Sequence, residues 1–250
     1  MKLTDTRILV TGGASGMGRA FVEELVSAGA KVAFCDIDAD RVQEAAAATG
    51  AHGIRADVSS ESDVAAMFAE AVEVLGGLNA LVNNAGIFRD GLLVKKNRDT
   101  GEVTRMSLKQ WNQVIDVDLT GPFLCTRELA THCLNTNTRP AVVVNISSIA
   151  RHGNPGQSNY SAAKAGLVAD TRLWAVELAR HGIRVGAVAP GFVRTPILEG
   201  MRPDVLERMT AGVPLRRVAE PFELWQAVRF ILECDYFTGR CIDVDGGLSL

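Results

Sequence analysis

Residues 11–18 read Thr-Gly-Gly-Ala-Ser-Gly-Met-Gly, between an apolar run at 7–10 and a stretch of helical period at 16–28. A strand that ends in glycines and opens straight into a helix admits few folds. Glycine lets the backbone turn tightly and approach a ligand where a side chain would block it. The helix behind the turn offers free N–H groups and the positive end of its dipole, which together cradle a phosphate. The spacing over Gly12, Gly16 and Gly18 is G-x-x-x-G-x-G, not the commoner G-x-G-x-x-G of dinucleotide sites. Its place at the first strand–helix junction therefore matters as much as the motif. Ser15 and Met17 fall between the glycines and share the cradle.

The rest of the chain repeats the alternation. Apolar runs recur at 32–35, 54–56, 80–82, 141–146, 183–188 and 241–244, with helical stretches such as 63–75 and 222–232 between them. Continuously apolar strands separated by amphipathic helices predict an α/β fold whose parallel sheet is covered on both faces. Apolar residues make up 47% of 250, enough for a sizeable core, and no repeat or linker divides the chain. One domain over 1–250 is expected. Two long helices are expected, at 107–134 and 158–181. The second is apolar on more than one stripe, whereas packing on a sheet needs only one. The extra stripe meets either another subunit or the interior of its own domain.

Several function classes drop out. The net charge is −3 and no basic block is present, so nucleic acid is not an expected partner. Five cysteines form no C-x-x-C pair and four histidines show no ligand spacing, which suits reduced thiols in a cytoplasmic protein and no metal. The first ten residues lack the apolar run of a signal peptide, and no stretch approaches the ~18 apolar residues of a membrane helix.

Asp36 ends the second apolar run. A carboxylate there accepts hydrogen bonds from the adenosine ribose hydroxyls and repels a 2′-phosphate. No Arg or Lys lies between Gly12 and Gly18 to offset it, so NAD is favoured over NADP, with Ile37 alongside. Asp57 and Val58 follow the third run, where the adenine would lie. Tyr160 and Lys164 are four residues apart and share one helix face. A nearby ammonium favours the phenolate, so the tyrosine pKa is expected to fall, making Tyr160 a general base near neutral pH. Ser147 and Ser148 close the fifth run on the ligand side of such a sheet, where a hydroxyl can hold a substrate oxygen.

Taken together, TGGASGMG at 11–18, NNAG at 83–86, NISS at 145–148, YSAAK at 160–164, PGFVRT at 190–195 and VDGG at 244–247 resemble the short-chain dehydrogenase/reductase family, in the family's order and over nearly the whole chain. The resemblance implies a single-domain Rossmann-type doubly wound sheet, with Tyr160 as the base and Lys164 binding the nicotinamide ribose and tuning it. It implies that Ser148 orients the substrate and that Asn83 through Gly86, including Asn84 and Ala85, support the sheet and the cofactor. Pro190, Gly191, Val193 and Thr195 would hold the nicotinamide end, and the assembly would be a homotetramer.

Three departures stand out. The family's serine usually precedes the tyrosine by about 13 residues; Ser147 fits that count, while Ser148 is the second serine of NISS and is preferred. The family's fourth catalytic residue is an Asn in V-N-L-T-G, where this chain has Asp118 in Val117-Asp118-Leu119-Thr120-Gly121. Asp118 either offsets the pull of Lys164 on Tyr160 or only caps or bends its helix. Residues 92–104 are longer than usual and read as a hairpin with an Asp-Thr-Gly turn.

The expected activity is hydride transfer between NAD(H) and a small secondary alcohol or ketone. The alternative is a β-ketoacyl-carrier-protein reductase, which GIFRDGLL and PLRRVAEP resemble. Enzymes of that kind mostly use NADPH, against which Asp36 argues. Arg139, Arg180 and His181 would be a landing site for an acidic carrier, or scattered surface charges. A non-catalytic cofactor-binding scaffold is the third reading. The substrate lining is expected from 87–94, 150–156 and 192–209, with Arg151 and His152 hinting at an anionic substrate.

Overall fold

The computed structural model describes residues 1–195, 198 and 203–248. Its strands are β1 (Arg7–Thr11), β2 (Lys31–Asp36), β3 (His52–Arg55), β4 (Ala80–Asn83), β5 (Val94–Lys96), β6 (Val103–Arg105), β7 (Ala141–Ile146), β8 (Ile183–Pro190) and β9 (Cys241–Val244). Seven of them form a parallel sheet in the order β3-β2-β1-β4-β7-β8-β9. The helices are α1 (Gly16–Ser27), α2 (Ala39–Thr49), α3 (Glu61–Leu75), α4 (Leu108–Ile115), α5 (Gly121–Thr136), α6 (Ser158–Leu178), α7 (Pro203–Ala211) and α8 (Pro221–Glu233). This is the doubly wound, Rossmann-type arrangement.

The period of two along each strand sorts side chains between two cores. Ile8 and Val10 of β1, with Val142 and Val144 of β7, face Phe21, Leu25 and Val42 of α1 and α2 and Leu224 and Val228 of α8. Leu9 and Val143 face the other way, onto Val64 and Met67 of α3 and Leu124 and Leu129 of α5. Both faces are dry, which is why the strands are apolar throughout. No helix among the described residues is long and apolar enough to cross a membrane.

Two expectations need correction. The third strand is His52–Arg55 rather than 54–56, so Asp57 lies beyond its end. The helix expected at 107–134 is interrupted: a π-helical turn, Asp116–Thr120, separates α4 from α5. Pro122 lacks the N–H that an α-helix would direct to the carbonyl of Asp118, and the Gly121 N–H bonds instead to Asp116 O, five residues back. The hairpin at 92–104 forms as expected. Its strands β5 and β6 pair antiparallel, Val94 with Arg105 and Lys96 with Val103, around a turn closed by Gly101 N–H to Asn97 O at 3.0 Å.

Candidate active site

Strand order reverses between β1, which leads to β2 and β3, and β4, which leads to β7. The crevice at the carboxyl ends of strands at such a point is where ligands enter these sheets. It receives the segments after Thr11, Asn83, Ile146 and Pro190, because all seven strands run parallel.

The glycine cradle is built for close approach. A Cβ on Gly18 would stand 2.0 Å from the Gly12 carbonyl oxygen, and Gly12 itself has φ +63°. No side chain caps the start of α1 at Ser15, so its first N–H groups face the crevice. Across the cradle, the Thr195 methyl would lie 3.7 Å from a Cβ on Gly16. Asn84 braces the turn, donating from Nδ2 to Thr11 O at 3.0 Å and Gly12 O at 3.1 Å. The N–H groups of Asn84 and Ala85 both reach Thr11 Oγ1. Gly191 packs where a Cβ would stand 2.8 Å from Asp245 Cα, and Val193 is buried and bridges to Ala219. These residues fit a dinucleotide, whose pyrophosphate needs N–H donors and room at the backbone.

Asp36 ends β2, its carboxylate accepting from Ala14 N and Asp38 N, each at 3.4 Å. Two basic residues of the flanking helices are engaged: Arg19 with Glu23 and Glu44, Arg41 with Asp38. Ile37 beside it is exposed. Val58 is buried against Gly121, while Asp57 turns inward on its own loop, taking hydrogen bonds from Ser59 N and Oγ.

Deeper in the crevice, α6 brings Tyr160 and Lys164 together, with the lysine Nζ 5.4 Å from the centre of the tyrosine ring. Lys164 is buried and donates to Ile146 O at 3.1 Å. Asp118, 0% exposed, sets Oδ2 3.1 Å from Lys164 Nζ, a close buried ion pair, and accepts from Ile87 N through Oδ1 at 2.8 Å. A Cβ on Gly86 would stand 2.7 Å from Asp118 Oδ2, so only glycine fits there. The two serines part company. Ser147 is buried and donates to Lys164 O at 2.9 Å, whereas the Ser148 hydroxyl faces the Tyr160 phenol and accepts from Ala150 N.

The electrostatics correct one expectation. Burial pushes the Tyr160 phenol above the ordinary tyrosine range. The Lys164 ammonium pulls it down, Asp118 pushes it up, the Ser148 hydrogen bond lowers it, and Asp90 raises it; the balance is upward. A single ammonium does not offset burial when a buried carboxylate stands behind it. For Lys164, burial disfavours the charge, but Asp118 and Tyr160 restore it, and its pKa rises. Burial raises the Asp118 carboxyl against the attraction of Lys164.

Some positioning contacts escape sequence reasoning. Asn83 donates to Asn145 Oδ1 at 2.8 Å, and Asn145 donates to Thr171 Oγ1 at 2.9 Å, a buried chain linking β4, β7 and α6. Both asparagines lie inside NNAG and NISS, but nothing in the motifs reveals that they bond each other. Asn159, 0% exposed, is a second such hub. Arg151 is not free to receive an anionic substrate, because it donates to Asp243 at 2.7 Å. Of the expected lining at 192–209, residues 196, 197 and 199–202 lie outside the described residues.

A family model described as enoyl-(acyl carrier protein) reductase matches residues 12–249. The chain belongs to the short-chain dehydrogenase/reductase family. It is 37% identical to a 3-oxoacyl-[acyl-carrier-protein] reductase of Thermotoga maritima, with 100% of each chain covered. A protein of the same name from Staphylococcus aureus is also 37% identical over 100% of both chains. A 2,5-dichloro-2,5-cyclohexadiene-1,4-diol dehydrogenase of Sphingobium indicum is 36% identical over 99% of this chain and 98% of its own. The chain is thus an oxidoreductase of this family, in which a nicotinamide cofactor is bound.

Proposed function

We propose that the protein interconverts a ketone and a secondary alcohol with NAD(H) as the hydride carrier. The observation that carries this reading is the cluster of Ser148, Tyr160 and Lys164 below a glycine cradle that ends on Asp36. The nicotinamide, when bound, gives or takes the hydride. In reduction Tyr160 Oη donates its proton to the carbonyl oxygen; in oxidation it takes the proton of the alcohol. The Ser148 hydroxyl donates to the same substrate oxygen and fixes its direction. Lys164 binds the ribose and places a positive charge beside the phenol, and Asp118 holds that lysine. Asp36 takes the ribose hydroxyls and excludes a 2′-phosphate.

For the substrate, the names of the relatives favour a 3-oxoacyl thioester on an acyl carrier protein over a free ketone; the 3-oxo group is itself a ketone. Arg139, Arg180 and His181 lie before the amino ends of β7 and β8, the sheet edge opposite the crevice, and lend the carrier reading no support. The Sphingobium dehydrogenase supports the broader alcohol reading. A panel of acetoacetyl thioesters, simple ketones and secondary alcohols, assayed with NADH or NAD and with NADPH or NADP, separates these. Turnover of the thioester alone selects the carrier reading. No turnover, with normal cofactor binding, revives the scaffold.

The active form in this reading is a cytoplasmic homotetramer. Its support is the outer stripe of α5 and α6, where Leu134 and Leu173 are exposed and Val176 is 78% exposed. Sedimentation at micromolar concentration tests it; a monomer rejects it.

A further inference from the structure

The geometry points to Phe88 as a specificity-determining residue, the fixed wall against which the larger apolar substituent of the substrate carbonyl packs. Phe88 follows β4 at the carboxyl edge of the sheet. Its ring centre lies 4.6 Å from that of Tyr160, with the planes tilted by 46°. Tyr160 is only 8% exposed, while Phe88 is 44% exposed. Phe88 therefore offers exposed apolar surface beside the buried phenol ring.

The ring cannot easily retreat, because the backbone is held on either side of it. Ile87 N donates to Asp118 Oδ1 at 2.8 Å. Arg89 O accepts from Asn159 Nδ2 at 3.1 Å, and the same amide nitrogen also donates to Gln110 O at 3.1 Å. Asn159 Oδ1 takes the N–H of Tyr160 itself, at 2.9 Å. Beyond, Gln157 Nε2 reaches both carboxylate oxygens of Asp90, at 3.2 and 3.1 Å, and Gly91 N donates to Gly156 O at 2.8 Å. One buried amide thus ties the start of the tyrosine helix to the loop that carries Phe88. Ring and phenol are set against each other before anything binds, and such preorganisation turns a surface contact into selectivity. With Arg151 engaged by Asp243, an apolar substituent meets no competing free guanidinium from that residue.

This inference rests on the reading of the site as a ketone reductase, and its test keeps the two apart. Acetophenone and acetone are compared as substrates and, separately, as equilibrium ligands of the cofactor-bound enzyme. Phe88→Ala should lower the acetophenone-to-acetone ratio in kcat/KM by about tenfold, within the range that apolar contacts supply in enzyme pockets. Phe88→Leu should recover part of it. Cofactor affinity and the thermal midpoint should stay near wild type in both variants, since the ring is half exposed. The same ranking should hold in acetophenone affinity alone. A ratio and an affinity unchanged in folded Phe88→Ala overturn the assignment. If the wild type reduces no ketone with either cofactor, the proposed reaction fails, and acetophenone affinity still decides for or against Phe88.

Discussion

Asp118→Asn removes one charge from the catalytic cluster and changes almost nothing in shape. The amide can keep the hydrogen bond from Ile87 N, and Lys164 keeps its bond to Ile146 O. Lys164 loses the carboxylate 3.1 Å away. With an effective dielectric constant of about 20, an ammonium 5.4 Å from the tyrosine ring centre stabilises a phenolate by roughly 3 kcal/mol, and the carboxylate 3.1 Å from that ammonium takes back part of it. Removing the carboxylate should lower the phenol pKa, because Asp118 is one of the groups that push it up. The pH at which alcohol oxidation reaches half its plateau in kcat/KM should fall with it. The substitution also leaves a buried ammonium without its counter-ion, so thermal stability should drop by a few kcal/mol. Full pH profiles of both proteins, at saturating oxidised cofactor, decide the matter. Superimposable profiles would refute the electrostatic argument, and a folded but inactive variant would show that the carboxylate itself is required.

The adenosine end gives a second expectation. The wild type should prefer NAD(H) over NADP(H) by at least about tenfold in kcat/KM, and Asp36→Ala should narrow that preference by weakening NAD use; equal or better use of NADPH by the wild type rejects it. Tyr160→Phe should abolish turnover while titration still shows near-normal NADH binding, because the ring stays and only the proton-carrying hydroxyl is lost. Lys164→Ala should lose both. Away from the site, Arg217 and the Glu220 N–H hold the Glu223 carboxyl down at about 2. A depressed carboxylate stabilises the fold above its unfolded pKa and loses that contribution as pH falls through the folded one. The thermal midpoint gap between wild type and Glu223→Gln should therefore be widest near neutrality and close as pH approaches 2; a gap independent of pH would contradict it.

The fold was legible because the forces behind it are local and periodic. An apolar run such as Val142–Val144 is dry on both faces of a parallel sheet, and its composition says so directly. The cradle was legible because Gly18 stands where its Cβ would collide with the Gly12 carbonyl, so the fold itself demands glycine there. The π turn was less visible, although its physical cause lies in the sequence: Pro122 cannot donate back to residue 118.

The state of Tyr160 could not be read the same way. The spacing of Tyr160 and Lys164 fixes that they share a helix face, and from that pair alone a lowered phenol follows. The outcome turns on two quantities with no signature in spacing, the burial of the ring and the placement of Asp118 behind the lysine. Both come from segments distant in sequence: the π turn that carries Asp118 into the core, and the loop after β4 that lays Phe88 on the ring. Asn159 shows the same limit. Beside the tyrosine in sequence it looks like an ordinary helix-start polar residue, yet its amide joins Arg89, Gln110 and Tyr160, contacts that exist only once the sheet has brought three segments to one edge. With a net upward shift the phenol holds its proton at neutral pH in the free protein, the state that donates to a carbonyl oxygen. Oxidation, which needs the phenolate, should accordingly gain more from alkaline pH than reduction does.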